Sequence, residues 1–374
     1  MARAQKGHKY VSGVLTFCLV LLLLVAAAAA GGSFAYSYVK HAQSLIRQVE
    51  ENLKNPVSTA IPETARIYFE IPSGSSTSKI ADLLEKAELI KNKQFFKILS
   101  KVNGFDGLYQ PGTHIVSEGM GYEQIMLALC AKPEILRLVF PEGLNSSQVY
   151  AVIRKAALTN RDGVKGYVET ADFSSYGFLD GLPKRSDRLE GYLFPDTYDY
   201  DLHATPRTVI EAMLNNFNRK LTQEHRDRAA ELGMSIDDVV TLASIIEREA
   251  KNEEDRFLVS GVFHNRLRSG DPSLRMLQSC ATVQYVFYQR NGVMLQRISE
   301  SDTRVLDPYN TYIHEGLPPG PICNPGISSI NAALYPEDTD YMFFVARGDG
   351  THEFTKTYEE HMEAVREYGL NLMP

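Results

Sequence analysis

The sequence has no tryptophan and only four cysteines in 374 residues. So few cysteines exclude a small disulfide-stapled scaffold, and a chain of this length can bury cores enough for two domains. Cys18, Cys130, Cys280 and Cys323 lie far apart without metal-site spacing, and the nine histidines form no HxxxH-type pair. No metal and no other cofactor is therefore expected. Structural thiols are the simpler reading, with a Cys280–Cys323 disulfide as the alternative outside the cell. Basic charge is also scarce: 39 Lys and Arg stand against 46 Asp and Glu, a net charge of −7. Nucleic acid is thus a poor partner, because a phosphate backbone selects basic faces. A neutral or zwitterionic glycan stays open, since it is read by hydrogen bonds and ring stacking. Here 20 Tyr and 17 Phe can supply the rings that tryptophan does not.

The sharpest absence is local. From Tyr10 to Val39 there is no Asp, Glu, Lys or Arg, and the centre, "GVLTFCLVLLLLVAAAAAGGSFAY", is apolar. The run exceeds the roughly 20 residues that cross a bilayer. Arg3, Lys6 and Lys9 precede it, so the positive-inside rule keeps the N-terminus in the cytoplasm and exports the rest across the plasma membrane. Ala26 to Ala30 would suit a signal peptidase, but the run is longer than the roughly 7–15 apolar residues of a signal peptide. An uncleaved single-pass anchor is the preferred reading.

What remains is organised as follows. Residues 1–9 form a cytoplasmic tail, 10–39 the transmembrane anchor and 40–65 a stalk and linker broken by two prolines. "RIYFEI" (66–71) reads as a strand, "STSKIADLLEKAEL" (76–89) and "KNKQFFKILSKV" (91–102) as helices, and "GTHIVS" (112–117) as a strand. This β-α-α-β order, with "IPSGSSTSKIADLL" at its head, resembles a LysM module; glycan binding and a spacer role both remain open for 66–135. A helix over 121–132, a strand over 135–143 and a helix over 145–157 follow. Residues 136–374 read as a larger, helix-rich domain with helices over 208–221, 235–250 and 253–270, and strand, Gly turn, strand and helix over 340–369. The fold class is α+β.

Three stretches carry candidate chemistry. "LASIIEREA" (242–250) holds two glutamates. On a helical wheel at about 100° per residue they flank the apolar stripe on opposite edges. They are not a close carboxylate pair; Glu247 stands above the small Ala243, and Glu249 reads as a solvated or ion-paired flank. "LEGYLFPDTYDY" (189–200) and "LDPYNTYIHEGLPPGPICNPG" (306–326) concentrate Tyr, Asn, Gly and Pro in irregular segments. Long loops of that kind either serve a ligand or cover a core, and Tyr faces with amide groups suit a saccharide groove.

Taken together, "LEGYLFPDTY", "LASIIEREA", "VFHNRL", "LQSCATVQY", "YNTYIHEGLPPGPICNPG" and "SINAALYP", in that order, resemble the YceG-like (MltG) family of endolytic murein transglycosylases. The resemblance spans about residues 60–372. It implies peptidoglycan glycan strands as substrate, cleavage between N-acetylmuramic acid and N-acetylglucosamine, and Glu247 as the single general acid/base. Partial desolvation is expected to keep that carboxyl protonated. The resemblance further implies that Glu190, Tyr192, Tyr198, Gln278, Ser279, Tyr309, Asn310, Tyr312 and Asn324 line the groove, and it makes peptidoglycan synthases candidate partners. Cys280 and Ala281 depart from the Asp-Pro that the family often has after "LQS", and "NRLRSGDPSLRMLQS" is a few residues longer than usual. Two rival functions are a non-catalytic cell-wall-binding scaffold and a hydrolase using Glu247 with Asp196 as base.

Overall fold

A computed structural model describes residues 4–54, 61–156 and 163–368 of the chain. They divide into two compact units, Met1–Ile135 and Leu136–Pro374.

The first unit begins with α1 (Ala4–Lys54), one helix of 51 residues. Its Leu21–Leu53 portion is long and apolar enough to cross a membrane. The stretch read as a stalk, residues 40–54, is the uninterrupted continuation of this helix. Leu45 and Val49 are buried in the small core of the unit beside Phe96, Phe105, Met126 and Leu129. Residues 1–3 of the tail and 55–60 of the linker lie outside the described residues. Then come β1 (Ile67–Ile71), α2 (Thr77–Lys86), α3 (Lys93–Val102), β2 (Gly112–Val116) and α4 (Tyr122–Cys130). β1 pairs antiparallel with β2, Ile67 opposite Val116 and Ile71 opposite Gly112. Ser76 caps α2 by accepting from the Lys79 N–H, and Asn92 caps α3 by accepting from Gln94 and Phe95. These are the β-α-α-β elements expected from the sequence.

The second unit contains β3 (Leu136–Val139), α5 (Ser146–Lys155), α6 (Gly163–Thr170), β4 (Thr197–Tyr200), α7 (Pro206–Lys220), α8 (Gln223–Leu232), α9 (Ile236–Glu249), α10 (Glu253–Arg268), α11 (Cys280–Asn291), α12 (Ile327–Leu334), β5 (Phe343–Ala346), β6 (His352–Thr355) and α13 (Tyr358–Glu367). It is helix-rich α+β, with two antiparallel pairs, β3–β4 and β5–β6. Part of the aromatic segment 189–200 is therefore strand rather than loop: Thr197 to Tyr200 pair with Val139 to Leu136. The interior centres on α9. Its eight successive residues from Val239 to Ile246 are all buried, because α10, α11 and α12 all lie against it. The expected one-sided stripe is thus a helix enclosed on nearly every side, as happens when covering elements outnumber a helix's apolar face. Its polar members are paired: Ser244 Oγ donates to the Thr241 carbonyl and accepts from the Ile322 N–H.

Candidate active site

Both glutamates of interest sit in the last turn of α9, where the helix presents unpaired carbonyls and a negative dipole end. Acidic side chains there need compensation, and each finds it at the start of another helix. Glu247 Oε2 accepts from the Gly326 N–H at 3.0 Å and from Ser329 Oγ at 2.8 Å, both at the N-terminal end of α12. Its Oε1 accepts from Arg256 Nη2 of α10 at 3.2 Å, and only 6% of the side chain is exposed. Glu249 turns the other way. It accepts from Ser279 Oγ and from the Ala281 N–H, at the first turn of α11, and burial pushes its carboxyl up. Glu249 is therefore no solvated flank. It closes an otherwise uncapped helix, since Ser279 makes no side-chain cap of its own.

A second carboxylate stands beside Glu247. Glu142, in the turn after β3, reaches Arg256 Nη2 at 3.8 Å and is 46% exposed. A Cβ on Gly326 would fall 1.8 Å from Glu142 Oε1, so both carboxylates lie against one glycine. Burial and the charge of Glu247 push the Glu142 carboxyl up, with Arg256 opposing. The turn is latched in place: the Gly143 N–H donates to the Asn324 carbonyl, and Asn324 Nδ2 donates to the Leu144 carbonyl. Glu142, Arg256, Gly326 and Ser329 were not singled out by sequence. The signal was present in "FPEG", an acid and a glycine at a strand end, but sequence does not tell which distant helix such a turn will cap.

The other expected groove residues are divided. Asn324 joins the Glu247 cluster as a buried latch, its Oδ1 accepting from the Leu193 N–H at 2.8 Å. Gln278, Ser279 and Tyr312 gather on the Glu249 side. Gln278 Oε1 accepts from Arg266 at 2.8 Å, Ser279 N–H donates to Thr311 Oγ1 at 3.0 Å, and Tyr312 Oη lies 3.1 Å from Cys280 Sγ. Gln278 also has φ 54°, a left-handed conformation uncommon for a non-glycine residue. Asn310 is buried and donates to the Thr303 and Val305 carbonyls, which rules a folded loop rather than an open face. Tyr192 is wholly enclosed, its hydroxyl donating to Asp237 at 2.7 Å. Tyr198 is half-buried and donates to the Phe194 carbonyl. Tyr309 packs its ring on Tyr285, centroids 5.1 Å apart. Asp196 accepts from Asn216 and from the Thr197 N–H, not from any donor of Glu247. Cys280 and Cys323 are free thiols, so the disulfide alternative is set aside. Cys323 is buried and donates to the Ser244 carbonyl. Among the described residues no three His, Cys, Asp or Glu side chains gather as a metal site would require.

Glu190 is fully enclosed as well. It accepts from the Ser146 N–H at 3.0 Å and from the Tyr285 hydroxyl at 3.4 Å. Burial, then the charge of Asp187, push its carboxyl up to about 8. A carboxyl whose folded value lies above its unfolded one binds protons more tightly in the fold. Its favourable contribution is complete below about 4.5 and is lost as pH rises towards about 8. Glu190→Gln keeps an acceptor for the Ser146 N–H, its amide N–H can donate to the Tyr285 oxygen once that hydroxyl turns, and this loss is removed. We expect urea denaturation to show a gain on the order of 2–3 kcal/mol at pH 7, with a flatter stability profile between those two pH values.

Comparison with known proteins places this chain among relatives. The sequence signature of the YceG-like family matches residues 69–367. A protein of Bacillus subtilis (strain 168) named endolytic murein transglycosylase is 32% identical, over 90% of this chain and 90% of its own length. One of the same name from Streptococcus pneumoniae is 29% identical over 90% of this chain but 62% of its own, longer sequence. The crystal structure of a yceG-like protein from Listeria monocytogenes is 31% identical, with a TM-score of 0.50, covering 80% of this chain and 99% of that one.

Proposed function

We propose a function from the premise that this chain belongs to the YceG-like family. It is an endolytic murein transglycosylase, cutting peptidoglycan glycan strands between N-acetylmuramic acid and N-acetylglucosamine. Glu247 is the general acid/base. Its proton goes to the glycosidic oxygen as the bond to the muramic acid C1 breaks. The carboxylate then takes the proton of the muramic acid C6 hydroxyl, whose oxygen closes on C1 to form a 1,6-anhydro ring. Atoms and charge balance without water and without a second carboxylate, in contrast to hydrolases that flank the bond with two.

The observation that carries this reading is the setting of Glu247. A carboxyl at a helix C-terminus, nearly enclosed, is fixed at one oxygen by two donors and at the other by Arg256. The carboxyl is thus not merely desolvated, as the sequence suggests, but partnered by Arg256 and two further donors, which stabilise the carboxylate left once the proton has gone. The hydrolase reading asks for Asp196 as base, and Asp196 is engaged with Asn216 instead. Product analysis decides between them: digestion of purified glycan strands should yield 1,6-anhydro ends, whereas reducing ends would assign hydrolysis.

Residues 66–135 take the role of a LysM-like module held beside the membrane, and 136–374 that of the catalytic domain. The groove residues named from the resemblance act mainly by fixing the loops around the site. α1 is an uncleaved single-pass anchor with its N-terminus in the cytoplasm, which places both units outside the plasma membrane. There the enzyme meets nascent strands beside the peptidoglycan synthases.

A further inference from the structure

The first unit carries an apolar stripe that stays largely outside its own core, with Phe95 meeting it through an edge contact on Tyr122. On α3, Phe95, Ile98 and Val102 are all exposed, Ile98 by 60%. At about 100° per residue they fall within one 60° sector, on the side away from buried Phe96 and Ser100. Lys97 and Lys101 occupy the sector between stripe and core, and Lys91 precedes the helix. Lysines beside an exposed apolar stripe are the arrangement of a helix that lies in a membrane interface: apolar groups enter below the headgroups and ammonium groups remain among the phosphates.

The stripe is also held where a membrane would be. The uncharged run of α1 ends at Val39, and Leu45, six residues on, is already buried in the core of the unit. Six helical residues span about 9 Å. Exposed Phe34 and Tyr36 mark the end of the run, as aromatic side chains do at headgroup level. The next aromatic, Tyr38, donates to the Val102 carbonyl at 2.9 Å and lies 3.1 Å from Asn103 Oδ1. The C-terminal end of α3 is thus tied to the turn of α1 that leaves the apolar run. The acidic groups nearest that end are occupied, Glu123 by His41 and Asn103, and Asp106 by Ser100.

We infer that α3 is a membrane-interface helix, seating the first unit on a bilayer of anionic phospholipid through Phe95, Ile98 and Val102. The inference rests on reading α1 as an uncleaved anchor. The native absence of tryptophan makes the test direct, because one introduced indole reports alone. Ile98→Trp and Leu22→Trp are made singly in the full chain and reconstituted into vesicles of phosphatidylglycerol and phosphatidylcholine, with and without bromine on the acyl chains. Both emissions should be blue-shifted, and bromine should reduce each by about half or more. Adding Lys97→Glu and Lys101→Glu should restore much of the Ile98→Trp emission and leave Leu22→Trp quenched. Quenching at Leu22→Trp with red, unquenched emission at Ile98→Trp overturns the seat and keeps the anchor. Blue but unquenched emission at Ile98→Trp assigns the stripe to protein, such as a second copy, and also overturns it. Loss of quenching at both positions removes the anchor reading and the seat together.

Discussion

Glu247→Gln is expected to slow release of anhydro-ended fragments by roughly 10²–10⁴-fold, the usual worth of a general acid/base. Glutamine fills the same volume and can still accept from Gly326 and Ser329, but it has no proton to give the glycosidic oxygen. Arg256 keeps Glu142 as a counter-charge, so the loss of stability should stay at about 1–2 kcal/mol. The fold therefore survives while the chemistry does not. Glu249→Gln is the matched comparison on the same helical turn. It preserves an acceptor for Ser279 and the Ala281 N–H, and turnover should remain within about tenfold of wild type. Chromatography of the products at equal enzyme concentration reads both variants. Equal rates for Glu247→Gln and wild type would remove Glu247 from the reaction.

Gly191→Ala should have a large effect on stability for a single added methyl. Gly191 has φ 91°, where an L side chain is strained. Its new Cβ would lie 2.5 Å from Pro321 Cγ and 2.8 Å from Val240 Cγ1. Neither neighbour can swing aside: one is a ring in the Pro-rich loop, the other a β-branched side chain inside α9. Strain and overpacking together cost on the order of 3–5 kcal/mol, a fall of roughly 10 °C in the melting of a unit this size. Gly326→Ala is the instructive contrast. There φ is −77° and the added carbon meets only the exposed tip of Glu142, which can rotate away. Calorimetry should show a large shift for the first variant and a small one for the second.

Why these positions behave differently follows from what a sequence can encode locally. The caps and periodicities of α2, α3, α7, α9 and α10 are short-range, and their spans follow the expected ones within a few residues. The Glu247 and Glu249 environments are long-range. Wheel geometry separates the two side chains correctly, to opposite edges of α9. It holds no information on which helix N-terminus each will meet, so Glu249 reads as solvated although it closes α11. The Asn and Tyr residues of 306–326 show the same limit. Composition suits equally an amide that lines a groove and one that latches a loop, and Asn310 and Asn324 are latches. Arg256 and Ser329 had no local mark: an Arg and a Ser on amphipathic helices are ordinary until the fold brings them to one carboxylate.

The unbroken run of α1 into the first unit fixes an angle as well as a height. A helix turns about 100° per residue and carries that phase along its length. Leu45 and Val49 choose which side of α1 faces the unit's core, and the same choice sets, by rotation alone, which side of the apolar run faces any neighbour of that run. A flexible stalk would erase that relation. With α1 retained as the proposed anchor, the bearing of the first unit about the membrane normal and the bearing of the anchor become one quantity, so a protein that grips one side of that anchor also aims the unit joined to it.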